Sequence, residues 1–283
     1  MTALDRPRPS IGQALGQALL VPRAFFDRDR RIEMSYRAGL LLRIASAVVT
    51  IGMFFFLSRV FDAAAPGLTA VGGGYFAFVL IGIVAQEFLS QSIGTFGGAL
   101  RESQTTGTLE LMLLGPSRLG TVLLSSTLWL HASAGLGALA YLVFGVMLGV
   151  DLSRMDVPAT LLGLVLMLVG FTGMGLLAGA AVIVIKRGNP LGWALRGASV
   201  VLGGTLYPIT VLPAPLQALG ACLPITHALT VLRGAMLEGR GIVELGVPLA
   251  ALAAVSLAFM LGGLLAFGAA VRHARVDGSL SQY

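Results

Sequence analysis

Long apolar runs alternate with short polar interruptions along this chain, and the runs have the lengths a bilayer demands. A spanning helix needs about 20 predominantly apolar residues. Six runs meet that requirement, over 38–60, 70–97, 119–149, 157–185, 190–211 and 243–271. Several exceed the minimum, which predicts tilt or extension beyond the hydrocarbon. The second could bend around Gly94, Gly97 and Gly98. The pattern predicts an all-α polytopic membrane protein with six transmembrane helices. Residues 1–36 precede the six-helix transmembrane domain, 37–272 form it, and 273–283 are a tail.

Three stretches depart from that simple rhythm. Ser10 to Phe26 reads SIGQALGQALLVPRAFF, with Ser10 and Gln13 in capping-box spacing. Ile11, Leu15, Ala18, Leu19, Pro22 and Phe26 share one side, and arginines follow at 23, 28, 30 and 31. That predicts an interfacial amphipathic helix held by anionic headgroups; a soluble N-terminal helix is the alternative. Arg101 to Pro116 reads RESQTTGTLELMLLGP. Gly107 to Glu110 can start a short helix, with Glu110 in the first turn and Gly115-Pro116 as its stop. Such a helix across the ends of two long ones is a handle on which something outside the membrane can push. After the fifth run, TLYPITVLPAPLQALGACLPITHALTVLRGAMLEGR is too apolar for a free loop. Pro208, Pro213, Pro215 and Pro224 forbid one continuous helix there. Irregular backbone at membrane depth needs protein or water around it, so the prediction is a re-entrant pair of short helices.

Composition agrees with the membrane reading. The chain is 56% hydrophobic and 11% charged, against about 25% charged in soluble domains. Its net charge of +6 does not make it a nucleic-acid binder, because the basic residues sit in short loops between apolar runs. With the N-terminus inside, fifteen Lys and Arg fall on the inner side and four on the outer side: Arg59, Arg154, Arg233 and Arg240. The positive-inside rule then puts both termini in the cytoplasm. Cys222, the only cysteine, is expected to be small and buried.

Few polar residues interrupt the runs. Glu87 lies inside the second, where an ionised carboxylate needs a partner. Arg43 is within reach at about 1.5 Å of depth per residue, and Gln91 lies one turn beyond. A structural ion pair and a substrate or proton site are both open readings. His131 in the third run lacks companion ligands, which favours an interhelical hydrogen bond over a metal or transport role. His227, after Pro224, could meet water near the outer face. Gly170, Gly173, Gly175 and Gly179 make a small-residue face for close helix packing. The Phe54-Phe55-Phe56 run is expected to pack or face lipid.

GTLELMLLGP after the second run resembles a type-2 ABC transporter permease, as do YFAFVLIGIVAQEFL within it and LYPITVLP and LPITHALTVLRG after the fifth. The resemblance covers about residues 35–272. It implies two six-helix permeases paired as a homodimer in the bacterial inner membrane. Each would work with one of two cytoplasmic ATPase subunits to export an amphiphile such as a lipid, drug or glycolipid. It further implies that Arg101, Glu102, Thr106, Gly107, Thr108 and Glu110 contact the ATPase. The translocation candidates are Arg43, Glu87, Gln91, His131 and Tyr207; Pro208, Pro213, Pro224 and His227 would form an outer gate. Beyond membrane lipids and this substrate no other ligand is expected. No G-x-x-x-x-G-K-[ST] loop occurs, and Lys186 is the only lysine. ATP and Mg would therefore be held by the partner, and this chain would carry no cofactor and no catalysis. The competing reading is a six-span membrane enzyme or ion-coupled carrier, for which the His, Asp and Glu residues are too scattered.

Overall fold

Asp156, Asn189 and several prolines open helices of the second half, and side chains close the fifth. The computed structural model of the protein describes residues 37–64, 74–105, 119–185 and 188–276, with residues 23, 26–28, 30–31 and 34–35 ahead of them. Among these residues the fold is all helical: α1 (Arg37–Ala64), α2 (Gly74–Thr105), α3 (Leu119–Met147), α4 (Val157–Ile185), α5 (Pro190–Leu202), α6 (Ala214–Ala221), α7 (Pro224–Met236) and α8 (Gly246–Val276). A 3-10 turn covers Ile209–Val211. Asp156 opens α4, its carboxylate accepting from Ala159 N at 2.7 Å. Asn189 does the same for α5 through Gly192 N at 2.8 Å, with Pro190 just inside. Proline supplies φ near −65° and lacks an N–H that would be orphaned there anyway. Pro215 and Pro224 stand in the first turns of α6 and α7 in the same way.

Among the described residues three helices are long and apolar enough to cross a membrane, over Gly74–Gly94, Val157–Ile185 and Gly246–His273. Shorter apolar stretches lie in α1 (Ile44–Val60) and α3 (His131–Met147). The fifth expected span is where sequence and structure part. Predicted over 190–211, the helix ends at Leu202 and is only about 20 Å long. Its last carbonyls are taken by side chains that follow the break: Thr205 Oγ1 donates to Ser199 O at 3.2 Å, and Tyr207 OH to Val201 O at 2.5 Å. Gly204 turns the chain at φ +73°, a conformation that only glycine adopts freely. The expected break after it is present: α6 and α7 meet at 87°.

Helix α4 is the centre. It packs against α8, α2, α7 and α5, and Phe171, Met167 and Met174 are fully buried in it. A helix apolar on all sides belongs in such a position. The glycine face works within the protomer: a Cβ on Gly173 would land on the backbone of Phe259 and Met260 in α8. Helix α7 lies along the first half of α4, with Pro224 against Gly170, Val231 against Gly163, and Ala235 O accepting from Asp156 N at 2.9 Å. Phe55 of α1 packs edge-on against Phe76 of α2, while Phe56 faces outward.

Candidate functional site

The densest polar arrangement lies where α7 meets the break after α5. Arg233, three residues from the end of α7, is 8% exposed. Its Nη1 donates to Gly204 O at 2.9 Å and its Nη2 to Thr205 O at 3.0 Å. Its Nε and Nη2 both reach Phe78 O in α2, at 3.2 and 3.0 Å, and the guanidinium lies over the Phe78 ring. Thr205 itself sits in a notch of α2, because a Cβ on Gly82 would collide with Thr205 O. A planar cation with five donors can serve three carbonyls at once, which an ammonium cannot do with the same geometry. One residue thereby ties α2, the break and α7 together, with no carboxylate among the described residues as its partner.

A polar seam runs beside it between α2 and α5. Gln86 Nε2 donates to Arg196 O at 3.5 Å, a long contact, and Gln86 Oε1 and the Ser199 hydroxyl are buried without a hydrogen-bond partner. Deeper in α2, Ser92 stands 3.3 Å from His131 Nε2 in α3, and Thr172 of α4 stands 3.5 Å from the same nitrogen. Thr172 spends its own proton on Leu168 O at 2.7 Å. It can only accept from the ring, so the Nε2–H tautomer fits. His131 is thus an interhelical bond joining three helices, and no group of three metal-ligating side chains occurs among the described residues.

These features sit in a chain that the family model of the ABC-2 type transporter matches over residues 28–237, from ahead of α1 to the end of α7. The chain belongs to the ABC-2 type transporter family. No curated protein sequence matches it. As a membrane domain of that family it is a multi-pass transport subunit.

In this ABC-2 subunit Glu87 is half-buried and accepts from Gln91 Nε2 at 3.1 Å. The Arg43 side chain lies outside the described residues, so its expected pairing with Glu87 does too. The same holds for the coupling handle: α2 continues to Thr105, and the side chains of Arg101 and Glu102 and all of Thr106, Gly107, Thr108 and Glu110 fall outside. So does Ser10 to Pro22 of the expected surface helix, while Arg23 and Phe26 near its end are helical and Phe26 packs edge-on against Trp129 of α3 at 5.2 Å. Tyr207 closes α5, Pro208 caps the 3-10 turn, and Pro213 and Pro224 begin the bent pair. His227 shares a hydrogen bond with Ala221 O at 2.7 Å across the bend.

Two expectations change. Cys222 is exposed, not buried; it ends α6 at the corner, where the chain turns away and leaves Sγ only Ala218 O at 3.5 Å. Arg233, counted above as an outer loop cation, is in the core. A signal for it existed: Ile225, Leu229, Leu232 and Met236 form a helical stripe, and Arg233 falls on it.

Proposed function

We propose that this ABC-2 subunit is the permease of an ATP-driven exporter. Two identical permeases would pair, each bound to a separate cytoplasmic ATPase that holds ATP and Mg, in a bacterial plasma membrane. The substrate would be an amphiphile such as a lipid, drug or glycolipid, moved outward. The observation that carries this reading is the bent α6–α7 pair, held by Arg233 to α2 and to the end of α5. Such a unit can open or close one end of a path along the α2–α5 seam as a rigid piece. The buried Gln86 and Ser199 groups without partners suit a lining that meets polar parts of a passing molecule. ATP closing the ATPase pair would shift the permease between inward-open and outward-open populations through residues 101–110.

The charge distribution supports a cytoplasmic position for that segment and for both termini. Glu110→Arg places a cation where the proposed contact carries an acid. It should leave the permease inserted and folded, while co-purified ATPase falls about tenfold, as a ~1.4 kcal/mol loss at the contact requires. ATP-dependent extrusion of a fluorescent lipid from proteoliposomes should fall with it. Full ATPase recovery with normal extrusion in the variant would remove residues 101–110 from the coupling role.

A further inference from the structure

Among the described residues, helices α3 and α4 follow one another in sequence but make no substantial contact. Between them lies a cleft of about 270 Å³, floored by Phe88 of α2 and by Leu232 and Met236 of α7. Its mouth is Leu139 of α3 and Leu161 of α4, each more than half exposed. The mouth continues on both sides into outward apolar rows, Leu136 and Val143 on α3, Val157 and Val165 on α4. Gly135 adds to the opening, since a Cβ built there meets nothing within 4 Å.

The lining decides what can enter. Its hydroxyl belongs to Thr160, and that group is already committed to Asp156 O at 2.7 Å. Water needs two to four polar partners to occupy a cavity, and this one offers only the remaining lone pairs of a single hydroxyl oxygen. An engineered apolar cavity of about 150 Å³ takes up benzene, so 270 Å³ has room for a hydrocarbon chain. Close-packed interiors do not keep voids of this size, and the mouth opens onto the surface that faces lipid in a membrane subunit.

We propose that the α3–α4 cleft binds one acyl chain of a bilayer phospholipid, which completes the packing of α7 against α2 and α4. The site lies apart from the α2–α5 seam and does not depend on the direction of transport or on the ATPase. Met155 and Met236 in its lining are flexible enough to follow the chain's shape.

The test uses the whole protein in nanodiscs of phosphatidylcholine containing a phosphatidylcholine with a diazirine at the end of one acyl chain. Light should place adducts on the floor residues Phe88 and Met236, read by peptide mass spectrometry, as well as on Leu139 and Leu161. Ala138→Phe narrows the cleft and should lower the floor adducts at least fivefold, leaving those on Leu261 and Leu265 of α8 unchanged. Adducts confined to the mouth in the parent protein would overturn the proposal, whether or not the variant folds. So would floor adducts that persist in a folded Ala138→Phe protein. Disulfide cross-linking of two copies through Leu139→Cys, with an unlabelled floor, would assign the cleft to a second permease instead.

Discussion

Arg233 is the residue on which the most geometry converges. Each hydrogen bond from a charged group contributes about 1.5–3 kcal/mol, while burying the cation costs part of that back. Arg233→Met removes the donors and leaves the carbonyls of Phe78, Gly204 and Thr205 to find others. A net loss of roughly 2–4 kcal/mol is expected, read as a lower unfolding temperature of the detergent-solubilised protein. Arg233→Lys keeps the charge but offers no planar fork, so it should fall between the two. A methionine variant as stable as the parent would show that the carbonyls are satisfied without the guanidinium. His131 differs in kind. Its partners Ser92 and Thr172 come from two other helices, so no reading of the third run alone could name them.

Adjacent glycines on α8 give the helix scale a test of sign. A Cβ on Gly263 would press on Gly173 O and Leu176 Cβ, whereas one on Gly262 meets nothing within 4 Å. Gly262→Ala should therefore stabilise by up to about 1 kcal/mol through helix propensity. Gly263→Ala should destabilise by about 1–3 kcal/mol through overpacking. Thermal unfolding of the two variants checks this, and equal shifts would mean that α4 and α8 are not in close contact. Much of this scale was legible. Runs at 119–149 and 157–185 became α3 and α4 nearly residue for residue, because length and hydropathy suffice for a long apolar helix. The end of α5 was not, since Val200 to Val211 stays largely apolar past the point where the helix stops. What stops that helix is Gly204 with the side chains of Thr205 and Tyr207 reaching back, and periodicity does not register such caps. Prolines read as breakers proved to be starters of α6 and α7, which is the other half of proline's chemistry.

For the whole molecule, the exposed Cys222 reports orientation without engineering, being the single thiol. With both termini on the cytoplasmic side, as the charge count expects, it should react with a membrane-impermeant maleimide added outside sealed right-side-out vesicles. Inside-out vesicles should leave it unlabelled until detergent is added. Labelling in the reverse pattern would invert the topology and place the bent pair on the ATPase side.

The contact of Gly173 with α8 joins residues 90 positions apart, counted from 173 to 263. At a synthesis rate of about 5–20 residues per second, roughly 5–20 s separate their appearance. During that interval the glycine groove of α4 can be covered only by lipid or by an assisting protein. The nascent chain is then most open to mispairing with other newly inserted helices, and the arrival of α8 ends that window.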